Sequence, residues 1–324
     1  MKLEQIYHPI KADMQAVDTL IRQRLDSAEA ALVRQVGEHI VSAGGKRLRP
    51  ALVLLSAGAL GYRQGTHHHE LAAIIEFIHS ATLLHDDVVD ESDLRRGRET
   101  ANSLFSNAAS ILVGDYLYSR SFLMMVAIDD MRIMQVLADA ASIVAEGEVF
   151  QLMHCHNADI DENRYLRVIH YKTAKLFEAA AQSGAILSKA PTEIEDAMKL
   201  YGMHLGTAFQ LIDDVLDYSG EEFETGKHLG DDLAEGKPTL PLIHAMQNGT
   251  TEQASCIRHA IEKGGREEFQ GVLAAIHATD ALDYTKKRAE VESRNAIKAL
   301  DILSASAYKD SLLELAAFAV ARSY

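Results

Sequence analysis

Apolar residues recur at spacings of three and four along most of the chain, which is the period of an amphipathic helix. One clear run leads from Leu71 through Ile78 to Leu84. Similar runs predict helices over roughly 12–42, 104–128, 132–154, 162–188, 193–218 and 281–322. Alternating β segments, linkers and low-complexity tracts are not found in the sequence. It therefore predicts a single all-α domain over residues 1–324.

Composition narrows the classes of protein that this chain can represent. Of its 324 residues 48% are hydrophobic, five are prolines, and the net charge is −15. That charge argues against a nucleic-acid binder or a protein that relies on an anionic membrane surface. Cys155 and Cys256 are too few for a disulfide framework. The N-terminus lacks a signal-peptide pattern and no uninterrupted apolar run is long enough to span a bilayer, so we expect a cytoplasmic protein with at most peripheral membrane contact.

The segment LLHDDVVDES at residues 83–92 carries an unusual density of carboxylates. The flanking pattern predicts helix through it, including Glu91. Positions four apart share a helix face, so Asp86 and Asp90 project together, with Asp87 beside them. Such carboxylates repel one another and raise one another's pKa unless a cation compensates them.

The segment QLIDDVLDYS at residues 210–219 repeats the same frame with Asp213, Asp214 and Asp217. A single acidic helix face is as readily a solvated surface as a binding site. Two copies inside apolar helices favour a site. Mg²⁺ takes oxygen ligands and is commonly held by one or two carboxylates together with substrate phosphates, which fits such short rows.

Local concentrations of basic residues accompany the acidic segments, although the chain as a whole is acidic. GGKRLRP at 44–50 supplies Lys46, Arg47 and Arg49, and DLRRGR at 93–98 supplies Arg95, Arg96 and Arg98. Arg presents a planar fork to phosphate oxygens and Lys a point charge. GGKRLRP also fits an ordinary helix boundary, with glycines that end one helix and Pro50 opening the next, and both interpretations can hold.

Five segments together resemble the signatures of trans-isoprenyl diphosphate synthases, the polyprenyl synthetase family. They are GGKRLRP, LLHDDVVDESDLRRGRETAN, YKTAKLFE, GTAFQLIDDVLDY and GKHLGDDLAEGKPTLP. The likeness spans nearly the whole chain, and two DDxxD boxes with a GKRxRP box are a highly specific combination. The resemblance implies an isoprenoid synthase helical bundle around a deep central cavity, with the aspartate rows facing each other across its mouth, and a homodimer.

The resemblance also implies the reaction. Members ionise an allylic diphosphate, add isopentenyl diphosphate to the allylic cation and release a proton, with several Mg²⁺ ions at the site. Repeated cycles on a primer such as farnesyl diphosphate would give a long trans-polyprenyl diphosphate of about eight isoprene units, used for a ubiquinone or menaquinone side chain. A shorter product of the geranylgeranyl or farnesyl class is the alternative.

Site residues follow from the resemblance position by position. Metal ligands are Asp86, Asp90, Asp213 and Asp217, with Asp87 and Asp214 as supporting carboxylates. The allylic diphosphate is expected to contact Arg95, Lys172, Thr173, Gln210, Lys227 and Lys237. Isopentenyl diphosphate, bound without metal, is assigned to Lys46, Arg49, His79 and Arg96. The catalytic set comprises Asp86, Asp87, Asp90, Arg95, Lys172, Asp213 and Asp214.

Product length is expected to depend on the helix before the first acidic segment. If the diphosphate is anchored at Asp86, the hydrocarbon runs back past Thr82, Ala81 and Ile78. Short-chain family members carry an aromatic residue at one or both of the two positions nearest the diphosphate, whereas Ala81 and Thr82 are small. Met124 and Met125 offer soft apolar lining deeper down. Alternatively, Ala81 is small only for helix packing.

Three adjacent histidines form a further candidate site. His67, His68 and His69 could bind a metal, but in a Gly/Thr-flanked loop exposed polar residues are the simpler interpretation.

Three other functions were weighed against the synthase. A terpene cyclase normally lacks the basic box and the second DDxxD. A phosphohydrolase would also need carboxylates and arginines. A catalytically silent partner subunit typically loses residues from the boxes, and this chain keeps them.

Overall fold

Helices account for almost all regular structure in the computed structural model, which describes residues 2–62, 65–219 and 229–322. Its helices are α1 Leu3–Ile6, α2 Lys11–Asp26, α3 Ala31–Ser42, α4 Leu48–Ala59, α5 His67–Val89, α6 Ala101–Leu104, α7 Asn107–Ile128, α8 Met131–His154, α9 Glu162–Ile169, α10 Lys175–Leu187, α11 Thr192–Ser219, α12 Asp231–Ala234, α13 Leu240–Asn248, α14 Thr251–Lys263, α15 Phe269–Ala278, α16 Ala281–Ala299 and α17 Ala307–Ala321. His8–Ile10 and Leu300–Ile302 form 3₁₀ turns, and His170–Ala174 form a π turn. The all-α prediction is confirmed.

Contacts within the chain group its residues into two units built from alternating segments. The first unit comprises Met1–Ala141, Leu176–Gly202 and Ala299–Leu315. The second comprises Ser142–Lys175, Met203–Lys298 and Ala316–Tyr324. One acidic segment belongs to each unit, so each half of the candidate site can be described within a single unit.

Two long predicted helices are shorter in the structure than the hydrophobic pattern indicates. The 12–42 run is divided between α2 and α3, and the 281–322 run between α16 and α17. At the first break the Ser27 hydroxyl donates to the Arg24 carbonyl, and the Arg34 guanidinium donates to the Ala28 carbonyl. Because side chains satisfy these carbonyls without a Gly or Pro, the apolar spacing continues across the break and hides it.

In the first unit the central helix is α5, which packs against α4 and α7. Ile74, Phe77 and Ile78 on this helix are completely buried. Where α7 packs on it, a Cβ on Gly114 would lie 2.3 Å from the His85 imidazole, so a larger residue would displace this ring. The C-terminal end of α5, which carries the first acidic segment, is therefore held by a rigid core.

Helix α7 is the one described helix that is long and apolar enough, by length and composition, to cross a membrane. Asp115 and Arg120 interrupt its apolar residues, so the expectation that no uninterrupted apolar run is long enough to span a bilayer still holds. Core helices of soluble proteins pass the same test. Val113 and Leu117 are buried in the unit, whereas Leu112 and Leu123 are more than 60% exposed. One face of α7 is thus an apolar surface.

The second unit contains a close contact between α8 and the π turn. A Cβ on Gly147 would lie 2.6 Å from the backbone nitrogen of Lys172, so a larger residue would displace the turn. π turns are rare and concentrate at functional sites. This one presents Lys172 and Thr173, both of which the sequence assigns to diphosphate binding.

Candidate functional site

The first acidic segment lies at the C-terminal end of α5. The helix ends at Val89, and the Asp90 amide still donates to the Asp86 carbonyl at 2.8 Å. Asp86 and Asp90 therefore keep their relation of four residues and are both partly exposed. Glu91 was predicted to be helical, but its φ of 50° takes it out of the helix. Four clustered carboxylates at a helix C-terminus would add to the negative end of the dipole, which favours termination here.

Asp87 turns away from solvent and binds Arg95. Its side chain is 1% exposed, and its Oδ1 accepts from Arg95 Nε at 2.8 Å and from Nη2 at 2.7 Å. Burial opposes the charged guanidinium, but the carboxylates of Asp87, Asp86 and Asp90 outweigh it and raise the pKa of Arg95. Within the part of the chain that the structure describes, Asp87 Oδ2 is buried and has no hydrogen-bond partner. Such a buried oxygen calls for a further hydrogen-bond donor, such as a water molecule, beside it.

A two-residue β hairpin presents the arginines that follow the first acidic segment. Strand β1 is Leu94–Arg95 and β2 is Arg98–Glu99, paired antiparallel. Arg96 and Gly97 have φ of 55° and 71°, as a tight hairpin turn with two left-handed positions requires. The sequence prediction missed this hairpin, because its strands are too short and too polar to show a β pattern.

The hairpin lies against the glycines of the basic segment. Arg96 donates to the Gly44 carbonyl, and a Cβ on Gly45 would lie 2.3 Å from the Arg96 guanidinium. Gly45 also has a φ of 127°, which only glycine adopts without strain. Segments 44–50 and 93–98, far apart in sequence, are thus brought together, as the resemblance implies for Lys46, Arg49 and Arg96.

Arg47 and Arg49 have different structural partners. Arg47 forms an ion pair with the buried Glu76 and donates to the Val41 carbonyl at 2.8 Å, so it holds the loop in place. Arg49 Nη1 lies 3.1 Å from His79 Nε2, and its guanidinium stacks 4.5 Å from the Phe177 ring centroid. The basic segment begins α4 at Leu48, which confirms the helix-boundary interpretation as well.

His79 is neutral in this environment. Burial, followed by the charges of Arg49, Arg96, Arg95 and Arg47, lowers the pKa of the His79 imidazole well below its ordinary value. A neutral Nε2 accepts the hydrogen bond that Arg49 donates. His79 therefore orients an arginine rather than adding charge of its own.

The second acidic segment lies near the end of α11, in the second unit. Asp213 is 48% exposed and pairs with Arg322 Nη1 at 3.0 Å. The guanidinium of Arg322 also stacks 3.8 Å from the Phe209 ring centroid and donates to the Phe209 carbonyl. Burial lowers the pKa of Arg322, and Asp213 opposes that shift. No sequence pattern connects this arginine, which lies near the C-terminus, with the acidic segment.

Asp214 is buried in a chain of hydrogen bonds. Tyr165 donates to its Oδ2, and Gln210 Nε2 donates to its Oδ1 at 2.8 Å. Gln210 in turn accepts from the Thr173 hydroxyl at 2.9 Å. Burial and then the nearby charge of Asp232 raise the pKa of Asp214 well above its ordinary value, while the bonds from Tyr165 and Gln210 oppose that shift. Asp214 thus acts as an anchor, as Asp87 does.

One cavity of the second unit collects several predicted phosphate contacts. Its lining includes Lys172, Thr173, Gln210, Asp214 and Lys237. All the described residues that the sequence assigns to allylic diphosphate binding in this unit are therefore neighbours. Lys227 lies outside the described residues.

The two cavity lysines are partnered by carboxylates. Lys172 Nζ binds Glu148 and donates to Gln151 Oε1 at 2.6 Å, and Lys237 binds Glu235. Glu148 and Gln151 lie on α8, one turn from each other, and were not predicted. These contacts hold both ammonium groups at the wall of the cavity.

Both carboxylate oxygens of Asp217 accept hydrogen bonds from backbone amides, which its assignment as a metal ligand did not predict. Its Oδ1 accepts from the Asp231 amide at 3.2 Å and its Oδ2 from the Asp232 amide at 3.3 Å. The carboxylate thus caps helix α12, a favourable place for a negative charge.

The predicted length-determining positions lie on α5 and α7 of the first unit. Ala81 and Ile78 are completely buried, and Met124 and Met125 nearly so. Thr82 is partly exposed and its hydroxyl donates to the His79 carbonyl at 2.7 Å. Packing of α5 on α7 brings the helices that carry these residues together, as the prediction requires.

The donor set of the acidic segments suits Mg²⁺. Asp86, Asp90 and Asp213 offer partly or largely exposed carboxylates, which are hard oxygen donors. In residues 2–62, 65–219 and 229–322, neither segment by itself brings three aspartate ligand oxygens within 4.8 Å of one another. A preformed cage is therefore not present in the described chain. Mg²⁺ needs none, because it retains waters and uses phosphate oxygens of its substrate.

The chain is similar to known proteins over nearly its whole length. A family model described as polyprenyl synthetase matches residues 30–278. Octaprenyl diphosphate synthase from Escherichia coli strain K12 is similar over its whole length, with 51% identity over 323 residues and 99% of each chain covered.

Two solved structures are similar to the whole chain. One is a polyprenyl synthase from Caulobacter crescentus CB15, complexed with calcium and isoprenyl diphosphate, with a TM-score of 0.96 and 40% identity over 100% of this chain and 98% of that one. The other is a decaprenyl diphosphate synthase from Rhodobacter capsulatus, with a TM-score of 0.94 and 43% identity over 100% of both chains.

Proposed function

This chain belongs to the polyprenyl synthetase family and is a prenyltransferase that makes long-chain trans-polyprenyl diphosphates, and we propose that its product is octaprenyl diphosphate. The full-length identity of 51% to an octaprenyl diphosphate synthase carries this conclusion. Its fold is the all-α isoprenoid synthase fold. We propose farnesyl diphosphate as the primer and a quinone side chain as the destination of the product. Residues 1–324 act as one synthase domain, because each unit alone holds only one of the acidic segments.

In the first unit, some residues bind metal or diphosphate and others hold an arginine in place. Asp86 and Asp90 bind metal, whereas Asp87 fixes Arg95 so that its guanidinium faces a diphosphate. Lys46, Arg49 and Arg96 hold the diphosphate of isopentenyl diphosphate without metal, which keeps that substrate from ionising. His79 positions Arg49 through their 3.1 Å contact.

Residues of the second unit stabilise the allylic diphosphate as it leaves. Lys172 and Lys237 supply fixed charge, and Thr173 and Gln210 supply hydrogen bonds. Fixed donors lower the barrier because the hard step separates an allylic cation from an anion. Lys227 is assigned the same role by the resemblance alone. Asp213 binds metal, Asp217 contributes a further oxygen, and Asp214 holds Gln210 in place.

Several Mg²⁺ ions complete the site in our proposal. When bound, Mg²⁺ neutralises charge that develops on the leaving diphosphate. The carboxylates of Asp86 and Asp90, which are partly exposed, and of Asp213, which is 48% exposed, support a divalent cation because they are hard oxygen donors accessible to solvent. The similar Caulobacter enzyme was solved with calcium, a cation of the same oxygen-seeking class.

Product analysis tests the function directly. The purified chain, supplied with Mg²⁺, isopentenyl diphosphate and labelled farnesyl diphosphate, is expected to extend the label to forty carbons, and excess chelator is expected to abolish the extension. The Asp86→Ala and Asp213→Ala variants should each lose activity by orders of magnitude, because both remove a ligand acting on the ionisation step. Undiminished turnover in chelator would overturn the metal assignment, and release of inorganic diphosphate without chain extension would overturn the synthase assignment.

We also propose a cytoplasmic homodimer that contacts membranes only peripherally, for product release. Leu112, Leu123 and Val126 on α7 are at least 60% exposed, and neighbouring Met131 is 75% exposed. An apolar surface of this kind marks an interface. Sedimentation velocity is expected to show a dimer at micromolar concentration, and Leu123→Glu should shift it toward monomer. A wild-type chain that sediments as a monomer throughout would contradict this.

The length of the product tests whether the growing hydrocarbon runs along α5. The eleven residues from Asp86 back to Ile75 span about 16 Å at the standard helical rise. We propose that the growing chain runs along this stretch past Thr82, Ala81 and Ile78 toward Met124 and Met125. Ala81→Tyr is expected to shift the product to about fifteen to twenty carbons with the first condensation largely intact, because its ring blocks the path without touching the metal ligands.

The control for this substitution is Ala145→Tyr, at an exposed alanine in the middle of α8. It should leave the product distribution unchanged. Because Ala81 is completely buried, circular dichroism and the rate of the first condensation must confirm that the Ala81→Tyr chain folds. A folded, active Ala81→Tyr chain that still makes the long product would show that the hydrocarbon takes another route.

A further inference from the structure

The histidines that the site does not use converge on one carboxylate of another helix. His68 and His69 lie in the first turn of α5, and Asp13 lies in the first turn of α2. Asp13 Oδ1 is 2.8 Å from His69 Nε2 and 3.4 Å from His68 Nε2. One ligand atom from each of the three residues lies within 4.8 Å of the other two.

His67 differs from His68 and His69 in how exposed its side chain is. His68 and His69 have side chains that are only 17% exposed, whereas His67 is exposed. The expectation that all three are exposed polar residues is therefore wrong for His68 and His69, and holds for His67. The fold places α2 against the start of α5, which the sequence pattern alone could not show.

The distances resemble those between ligands of a tetrahedral ion. With metal–nitrogen bonds of about 2.0–2.1 Å, two ligand atoms of a tetrahedral site lie about 3.3 Å apart. The two measured separations from Asp13 Oδ1 lie on either side of that value. In residues 2–62, 65–219 and 229–322 no other three His, Cys, Asp or Glu side chains meet this closeness.

The contacts among Asp13, His68 and His69 fit either a hydrogen-bonded cluster or a metal site, and there are physical arguments for each. Two Nε2–H groups can share one carboxylate oxygen, which explains the contacts without metal. The helix dipole at the start of α5 also opposes a cation. Against this, imidazole nitrogens prefer Zn²⁺ and related ions, and the Asp13 carboxylate supplies the compensating charge. The two imidazole rings lie 3.9 Å apart between centroids, so both present nitrogen ligands to the same place.

We propose that Asp13, His68 and His69 form a binding site for a transition-metal dication of the Zn²⁺ class, with three protein ligands and a water. The site joins α2 to α5. It is chemically distinct from the aspartate segments, because two of its three ligands are nitrogen.

Metal titration of the full chain without a histidine tag tests this proposal. After removal of bound metals, the protein is kept in excess Mg²⁺, which occupies oxygen sites, and titrated with Co²⁺ and separately with Zn²⁺. Tetrahedral Co²⁺ with nitrogen ligands absorbs strongly in the visible range, which Co²⁺ held by carboxylates and water does not. We expect one ion per chain by calorimetry, visible Co²⁺ absorption, and a higher melting temperature with Zn²⁺.

Substitutions locate the ion. His69→Ala and Asp13→Ala should each weaken Zn²⁺ binding about tenfold or more and remove the Co²⁺ band, whereas His67→Ala should behave like the wild type. All three should keep the wild-type condensation rate with Mg²⁺, because none of these residues is part of the condensation site. His69→Gln, checked by circular dichroism, replaces His69→Ala if the latter misfolds. Absence of binding to the wild type, or equal binding by His69→Ala and His67→Ala, would overturn the proposal.

Discussion

Repulsion among carboxylates crowded into one helical turn is the constraint on which the rest of this structure depends. The protein resolves it in the same way in both acidic segments, by burying the middle aspartate against fixed partners. Asp87 pairs with Arg95, and Asp214 accepts from Tyr165 and Gln210. Asp86 and Asp213 are left more exposed. A single sequence pattern thus yields two kinds of carboxylate: one that holds cationic or polar side chains in place and one that faces solvent.

Backbone geometry makes this division possible. The hairpin that presents Arg95 requires left-handed φ at Arg96 and Gly97, and Arg96 reaches its carbonyl partner only because Gly45 lacks a side chain. In the second unit, Gly147 lets α8 approach the π turn that carries Lys172. The charged groups are therefore fixed before a substrate arrives, which is what stabilisation of a leaving diphosphate requires.

Much of this could be predicted from sequence, for identifiable reasons. Periodicity located α5, α8 and α11 because each buries a continuous apolar stripe, and the paired aspartates marked the ends of α5 and α11 that form the candidate site. Periodicity did not locate the end of α2 near Ser27, because side chains end that helix without Gly or Pro. Arg322 and Tyr165 were missed because each lies far along the chain from the aspartate it contacts, and only folding brings them together. The role of Asp217 as a cap on backbone amides was hidden for the same reason.

We infer that Asp86, the outer aspartate of the first segment, binds metal, whereas Asp87, the middle one, positions Arg95. The most direct measurement is the Mg²⁺ concentration that gives half-maximal condensation rate, compared for Asp86→Asn and Asp87→Asn. We expect this concentration to rise about tenfold or more for Asp86→Asn, and less than about threefold for Asp87→Asn, which should instead lower the urea midpoint of unfolding because Arg95 loses its buried partner. An equal rise in both variants, with unchanged stability of Asp87→Asn, would contradict it.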